Sequence, residues 1–423
     1  MLDVSVLREH KDDIIQALSK RGLDAKALVL EVLEADEKRR SLQATLDQNL
    51  AKANAMAKEI GQLYSSGKAD QAQGLKEETS NLKTENKHLQ AQLNQAVEEL
   101  QALRYNIPNV PHSLVPSGQT EDDNEEVFRS GEVPQLEENA LPHWELASKY
   151  KLIDFELGNK ITGAGFPVYT GKGARLQRAL ISFFLDENTA IGYEEVQVPH
   201  LVNEASGIGT GQLPDKEGQM YHVGADDLYL IPTAEVPVTN LYRDVILSHD
   251  QLPICNTGYT PCFRREAGSY GAHVRGLNRL HQFDKVEIVR LEHPDHSYKA
   301  LDEMVAHVKT LLEALELPYR VLRLCGGDLG FTSALTYDFE VYSTAQKRWL
   351  EVSSVSNFES FQSTRLKLRF KDKDGSRKWV HTLNGSALAL PRVLAALLEN
   401  NQTPEGIRIP KALVPYTGFE IID

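Results

Sequence analysis

Leu75, Leu82, Leu89, Ala96 and Leu103 stand seven residues apart, with Thr79, Asn86, Leu93 and Leu100 at the alternate positions between them. This 4-3 rhythm is the seam of a coiled coil. An earlier stretch keeps the same rhythm at Leu42, Leu46, Asn49, Ala53, Met56, Ile60 and Leu63. Tyr64-Ser65-Ser66-Gly67-Lys68 carries a turn signal between the two. The pattern predicts an antiparallel helical hairpin over residues 27–104, a stretch without proline. With about 30 residues per arm, each arm should extend roughly 45 Å or more. Asn49, Thr79 and Asn86 weaken the apolar seam and so specify its register. Lys38, Arg39, Arg40, Lys52, Lys58, Lys68, Lys76, Lys83 and Lys87 are mixed with acids and read as a solvated face. Taken alone, such a hairpin reads as a dimerisation rod.

Pro108, Pro111 and Pro116, then the acidic run 121–126, change the pattern. They predict a linker and the start of a second domain over 108–141, after a helical domain over 1–107. From 142 to 423, helical periodicity alternates with short β-rich runs. Helices are expected over 173–188, 294–315 and 392–400. Strands are expected over 194–198, 229–231, 321–324, 338–342 and 349–353. Few strand–helix–strand alternations occur, so the expectation is an α+β fold, a mainly antiparallel sheet flanked by helices.

The chain of 423 residues is long enough for a large core, and its composition is that of a soluble protein. A formal net charge of -14 excludes a strongly basic, salt-driven nucleic-acid binder, though a local patch can still hold RNA. Cys255, Cys262 and Cys325 form no CxxC pair and read as reduced thiols. No apolar signal core follows Met1, and no run approaches the ~20 apolar residues that span a membrane, so a cytoplasmic protein without membrane partners is expected. No Cys/His group has zinc spacing, and no Rossmann or Walker glycine pattern is present. His273 and His281 read as packing or hydrogen-bonding residues.

Candidate chemistry is concentrated in five segments. Cys262-Phe263-Arg264-Arg265-Glu266 leads through a glycine-containing turn to Arg279-Leu280-His281-Gln282-Phe283. On a strand, Arg264 and Glu266 would share a face. Together with the returning aromatic, they could grip a nucleotide by phosphate, base edge and ring. Thr233-Ala234-Glu235 follows a short strand and suits an ammonium. Glu287 alternates with Lys285 and Phe283. Glu351-Val352-Ser353-Ser354 offers hard oxygen ligands suited to Mg²⁺. Arg392 stands at a helix start after Asn384-Gly385-Ser386, where a cation can hold a terminal phosphate.

Over essentially its whole length, the chain resembles the bacterial-type seryl-tRNA synthetases, a class II family. The segment before Gly192-Tyr193 and the strand ending at Pro199 resemble motif 1. Residues 260–283 resemble motif 2, and residues 384–392 motif 3. The strings Gly209-Thr210-Gly211-Gln212-Leu213-Pro214 and Ile231-Pro232-Thr233-Ala234-Glu235-Val236-Pro237 strengthen the match. So do His281-Gln282-Phe283-Asp284-Lys285-Val286-Glu287 and the N-terminal hairpin, which in this family grips the long variable arm of tRNA.

The resemblance implies a serine–tRNA ligase with ATP as substrate, Mg²⁺ and no zinc, unlike the zinc-dependent archaeal variety. It implies a homodimer and a tRNA(Ser) partner, and leaves tRNA(Sec) open. Arg264 would bridge the serine carboxylate and the α-phosphate. Glu266 would meet the adenine amino group, Phe283 would stack on the ring, and backbone around Leu280 would line the slot. Arg265, Val352 and Ser353 fall within the implied ATP-binding set. Arg279 and Arg392 would hold the γ-phosphate, and Glu351 and Ser354 the Mg²⁺. Thr233, Ala234 and Glu235 would receive the ammonium; Glu287, Asn384 and Ser386 would read the hydroxyl. Arg264, Arg392 and Glu351 would be the catalytic residues. The chain departs from the family at Arg265, where relatives often have serine, and at Pro391, where glycine is common. Other readings are a ligase charging a carrier protein and a non-catalytic tRNA-binding paralogue. The hairpin stands against the first; intact Arg264, Glu266, Glu351 and Arg392 stand against the second.

Overall fold

The computed structural model describes residues 1–136, 140–215, 218–266 and 275–423. Gly268, Ser269 and His273 therefore lie outside the described residues. The chain forms two compact units, Met1–Ser19 with Leu23–Pro108, and Lys20–Gly22 with Asn109–Asp423.

The first unit contains α1 (Val4–Glu9), α2 (Lys11–Leu18) and two long helices, α3 (Ala25–Ser65) and α4 (Ala69–Arg104), packed on one another. Their 41 and 36 residues exceed the expected 30 or so per arm. At 1.5 Å per residue they run about 60 and 54 Å. Asp24 caps α3 by accepting from the Lys26 amide at 3.3 Å. The chain reverses at Gly67, whose φ of +73° favours glycine. Burial follows the 4-3 rhythm. Leu46, Met56, Ala72, Leu82, Leu89, Leu93, Ala96 and Leu100 are buried between exposed neighbours. Leu42 and Leu46 meet Leu89 and Leu93, which sets the arms antiparallel. Lys38–Glu99 at 2.9 Å and Lys52–Glu78 at 2.6 Å match that register. Both pairs are half-exposed, so they select register more than they stabilise. Asn49 Nδ2 and Asn86 Oδ1 are buried in the seam without hydrogen-bond partners, a cost the apolar positions must offset. Arg8, Arg39 and Arg40 converge on buried Asp36 at 2.8–3.2 Å. The basic residues expected on a solvated face are thus partly engaged within the unit, while Lys58, Lys68, Lys83 and Lys87 are exposed.

The second unit is built on an eight-stranded sheet. Its strands are β1 (Glu125–Ser130), β2 (Glu194–Glu195), β3 (Ile254–Phe263), β4 (Gln282–Glu292), β5 (Tyr319–Arg323), β6 (Leu335–Ser343), β7 (Arg348–Asn357) and β8 (His381–Ala389). Their order is β1-β5-β6-β7-β8-β4-β3-β2, antiparallel except for the edge pair β2–β3. Strand β1 arises inside the stretch expected to hold the linker and the start of the second domain. Arg323 and Arg320 on β5 pair with Glu125 and Glu126 there, at 2.5 and 3.6 Å. The strand expected over 194–198 shrinks to two residues as the chain leaves the sheet toward Pro199. That expected over 229–231 belongs to a separate small sheet as Leu228–Leu230.

Helices α5 (His143–Lys149), α6 (Gly171–Ala190), α7 (Ser297–Ala314) and α8 (Leu390–Asn400) enclose the core. On α6, Leu176, Ala179, Leu180, Phe183 and Phe184 fall at i, i+3, i+4, i+7 and i+8, one continuous apolar stripe. Val286 and Ile288 on β4, Phe339 and Val341 on β6, and Val352 and Val355 on β7 join the same core. Strand alternation turns Lys285 and Glu287 to the opposite face. That face carries the site.

Candidate active site

Strand β4 supplies the axis of the site. Phe283, Lys285 and Glu287 alternate along it, and Lys285 Nζ lies 2.6 Å from Glu287 Oε2, both side chains almost fully buried. Pairing sets Ser386 of β8 opposite Glu287, and Asn384 opposite Val289. Ser386, Asn384 and Glu287 therefore share one face.

Thr233 and Ala234 lead into the helix Glu235–Asn240, which covers this face. Ala234 is fully buried against Val198, Val238 and Val289, so its side chain packs and offers the site only backbone. Thr233 Oγ1 accepts from the Glu235 amide at 3.2 Å. Glu235 Oε1 accepts from Gln362 Nε2 at 2.6 Å. Gln362 is held by Thr382 Oγ1, which donates to its Oε1 at 2.7 Å, and by its own donation to Thr210 O at 3.2 Å. Burial, and then the nearby Glu287 charge, push the Glu235 carboxyl up to about 7. Two acids and one lysine in a water-poor pocket form a receptor for a small cation that carries a hydrogen-bonding group. Gln362 was not singled out from sequence; nothing in a lone Gln within a short helix signals its role.

Arg264 and Glu266 differ from the strand expectation. Strand β3 ends at Phe263, and Glu266 has φ +48°, outside any strand. They are placed by loop contacts: Arg264 N donates to His281 O, and Arg265 N to Gln219 O, both at 2.9 Å. Arg265 is exposed. The Arg264 guanidinium covers the Phe283 ring at 5.3 Å, and its Nε donates to Pro232 O at 3.4 Å. Glu266 and Arg279, expected at opposite ends of a nucleotide, are ion-paired with one another. Leu280 is buried in the core and lends only backbone. His281 has the packing role expected for it, stacked on Phe166 and hydrogen-bonded to Tyr221 and Arg264 O.

The oxygen-ligand segment depends on a bulge. Glu351 and Ser354 are three apart and would face opposite ways on a regular strand. Register slips where Phe339 pairs with Ser353 and Glu340 with Glu351, so one residue of β7 is extra. Glu351 and Ser354 then lie across from Glu340 and Asp338, two residues apart on one face. Val352 and Ser353 turn inward: Val352 joins the core and Ser353 Oγ donates to Ser386 O at 2.5 Å. Their side chains turn away from the Glu351–Ser354 face, so toward a nucleotide they offer backbone only. Asp338, which sequence reading passed over, receives the Ser354 hydroxyl, and its Oδ1 is buried without a partner. Burial, and then the Glu351 charge, hold its carboxyl well above the usual range. A crowded, partly orphaned set of carboxylates with a hydroxyl fits a hard divalent cation such as Mg²⁺.

Arg392 closes the site. Pro391 sits in the first turn of α8, where proline is tolerated. Arg392 Nε donates to Asn278 O and its Nη1 to Glu351 O, both at 3.0 Å. A cleft of about 960 Å³ opens beside Glu266, Arg279 and His281 toward Trp144, Asp154 and Phe166. Elsewhere, His249, His293 and Asp372 come together, a group that sequence spacing did not reveal. Lys378 Nζ lies 2.5 Å from Asp372 and already balances that carboxylate.

Comparison with known proteins finds matches in both units of the chain. Residues 1–111 match the seryl-tRNA synthetase N-terminal domain, and residues 221–401 the tRNA synthetase class II core domain (G, H, P, S and T). A serine–tRNA ligase of Salinibacter ruber is 51% identical over 421 residues, covering 99% of this chain and 98% of its own. A crystal structure of seryl-tRNA synthetase from Pyrococcus horikoshii complexed with ATP superposes with a TM-score of 0.93 at 32% identity, covering 100% and 99% of the two chains. A cytoplasmic serine–tRNA ligase of Naegleria fowleri in complex with AMP gives 0.88 at 25% identity, with the same coverage. A full-length relative at half identity, with both domains in the same order on the same fold, settles kinship: the chain belongs to the serine–tRNA ligase family, enzymes of class II that form aminoacyl-tRNA.

Proposed function

We propose that this chain joins L-serine to tRNA(Ser) in two steps. In the first, the serine carboxylate attacks the α-phosphorus of ATP, forming the O–P bond of seryl-adenylate as pyrophosphate leaves. In the second, a terminal ribose hydroxyl of tRNA attacks the seryl carbonyl. AMP leaves, and the hydroxyl proton goes to solvent or to the departing phosphate. No general base is needed in the first step, because the nucleophile is already ionised. Positioning and charge stabilisation carry it.

The observation that carries this reading is the buried Glu235–Glu287–Lys285 group beside the Arg264–Phe283 face. Glu235, with Thr233, receives the ammonium. Glu287, with Ser386 and Asn384, reads the hydroxyl. Arg264 lies between this pocket and the phosphate end. To bridge the carboxylate and α-phosphate, it leaves the Phe283 ring, which then takes adenine. Glu266 likewise exchanges Arg279 for the adenine amino group, freeing Arg279 for the γ-phosphate with Arg392. Glu351 and Ser354, with Asp338 beside them, would hold Mg²⁺, which supplies positive charge to the triphosphate. Arg264, Arg392 and Glu351 are thus the catalytic residues.

Rejection of alanine rests on the hydroxyl contact. Sites built for a hydroxyl can discriminate by ~10⁴-fold. Lys285 already pairs with Glu287, so a missing hydroxyl leaves a paired carboxylate rather than a bare one. Discrimination therefore falls below that figure. Like its family, the chain acts as a homodimer through α6 and the edge strand β2, which resemble motif 1, and the α3–α4 hairpin grips the tRNA.

Pyrophosphate exchange across serine, threonine and alanine, followed by tRNA charging, tests the reading. Serine-dependent exchange and charging of tRNA(Ser) are expected. Absence of exchange refutes ligase activity, and exchange without charging favours a carrier-protein acceptor. Charging of tRNA(Sec) in the same assay decides whether that tRNA is also a substrate.

A further inference from the structure

Behind the nucleotide face lies a buried polar chain that the reaction as described does not use. His143, at the start of α5, and Glu399, in the last turns of α8, are both 0% exposed in their side chains. His143 Nδ1 lies 2.7 Å from Glu399 Oε1, and the His143 amide donates to the same oxygen at 2.9 Å. On the other side of the ring, His143 Nε2 accepts from the Leu277 amide at 2.8 Å. These contacts fix one tautomer: the proton sits on Nδ1, facing the carboxylate, and Nε2 keeps its lone pair. Burial pushes the Glu399 carboxyl up, but hydrogen bonds from His143 and Ser343 outweigh this and hold it below its usual value. Gln346 Nε2 also donates to Glu399 Oε1 at 2.9 Å. Gln346 Oε1 in turn accepts from Asn278 Nδ2 at 2.9 Å.

Both ends of this chain reach the same short turn, residues 275–280. One holds the amide of Leu277, the other the side chain of Asn278. The Asn278 carbonyl is what Arg392 Nε grips at 3.0 Å, and Arg279 and Leu280 follow at once. The approach is close. A Cβ on Gly276, at φ +70°, would stand 2.2 Å from His143 Nε2. None of these contacts reaches Thr233, Glu235, Lys285 or Gln362, which line the ammonium end.

We propose that His143, oriented by Glu399, is a positioning residue for the ATP half of the site: it sets the 275–280 turn and, through Asn278, the aim of Arg392. This deepens the functional reading given above and rests on it. The buried imidazole acts as a fixed acceptor for one backbone amide, and the carboxylate keeps the imidazole in the tautomer that can accept. The prediction is a defect in nucleotide use that leaves amino-acid use alone.

Two substitutions at one position separate positioning from mere packing. In His143→Asn, the amide nitrogen reaches where Nδ1 stood, keeping Glu399 but losing the acceptor for Leu277. In His143→Gln, the longer amide places an oxygen where Nε2 stood and restores that acceptor. Serine-dependent pyrophosphate exchange is measured for wild type and variants, varying ATP and serine separately. His143→Asn should raise the KM for ATP about tenfold or more, the cost of one unsatisfied buried amide, with the KM for serine within twofold. His143→Gln should recover most of the loss. Gly276→Ala keeps every side chain of the buried group but drives a methyl against the His143 ring from the turn, displacing the imidazole from the Leu277 amide, and should also raise the ATP KM selectively. It carries the test if His143→Asn does not fold. The proposal is overturned if a folded His143→Asn, or Gly276→Ala in its stead, keeps its ATP KM within twofold. It is equally overturned if Asn and Gln variants lose ATP and serine use in parallel. An inactive wild type would instead overturn the functional reading itself, so the two failures are distinguishable.

Discussion

Replacing Glu235 by glutamine removes a charge while keeping the shape, and the structure sets two opposed effects. The free protein holds this carboxyl at about 7, against 4.5 for the unperturbed group, through burial first and Glu287 second. A folded value above the unfolded one means that the folded state binds the extra proton. The corresponding stability is complete below about 4.5 and is lost as pH rises through about 7. The shift corresponds to roughly 3 kcal/mol. Above pH 7 the ionised Glu235 is a standing cost to the ligand-free fold, so Glu235→Gln should melt several degrees higher at pH 8 and differ little at pH 4.5. Binding runs the other way. The Gln362 amide is pinned by Thr382, so its Nε2 faces position 235. A glutamine there must turn its oxygen to Gln362 and its NH₂ toward the substrate ammonium, donor against donor. Losing one member of a buried charge pair costs about 2–5 kcal/mol, so the KM for serine should rise about 30-fold or more in pyrophosphate exchange, with the KM for ATP nearly unchanged. In wild type the serine KM should climb as pH falls below about 7, because Glu235 must release its proton to receive the ammonium. In the variant that dependence should flatten. A variant whose serine KM stays within threefold of wild type at pH 8 would refute the assignment of Glu235 to the ammonium.

Deleting residues 36–100 should abolish tRNA charging while leaving serine-dependent pyrophosphate exchange largely intact; equal loss of both in the two assays would refute the division of labour between the units. Asp338→Asn should raise the Mg²⁺ concentration needed for half-maximal exchange several-fold and weaken Mn²⁺ binding followed by electron paramagnetic resonance. It should also raise the melting temperature at pH 8, because the buried Asp338 carboxyl is disfavoured as an anion there. Pro391→Gly should cost about 1 kcal/mol of stability in chemical denaturation. It should leave the ATP KM within twofold, since Asn278 O and Glu351 O already aim Arg392; a large gain in ATP affinity would show that Pro391 restrains it.

The hairpin was legible because a heptad seam depends only on positions along one helix. Leu75 to Leu103 repeat at the period of the structure they form, and burial follows letter by letter. The α6 stripe was legible for the same reason. Strand residues two apart were legible wherever the chain stays extended, as with Phe283, Lys285 and Glu287, which pair with β3 without a break although the register to β8 slips between Lys285 and Glu287. Arg264 and Glu266 have the same spacing, but the strand stops at Phe263 and loop contacts to His281 and Gln219 place them instead. Two-residue spacing fixes a shared face only if the chain stays extended, and a left-handed Glu266 ends that condition.

The bulge in β7 shows the limit from the other side. Glu351 and Ser354 are out of phase in sequence and in phase in space, because one extra residue shifts the strand against β6. The same slip sends Val352 and Ser353 inward and brings Asp338 beside Glu351. Asp338 stands 13 positions before Glu351, and only cross-strand register brings the two together. Gln362 reaches Glu235, and His143 reaches Leu277, across separations of 127 and 134 residues. The groups assigned to substrate sit in short, chemically distinctive strings and can be picked out of a sequence. The groups that orient them, by contrast, are ordinary Gln, His and Asp side chains brought in from distant elements, and their roles become visible only as completed hydrogen bonds. On this reasoning, the residues most open to functional reassignment by mutagenesis are the buried polar partners one contact behind Arg264, Glu235 and Arg392, rather than those three.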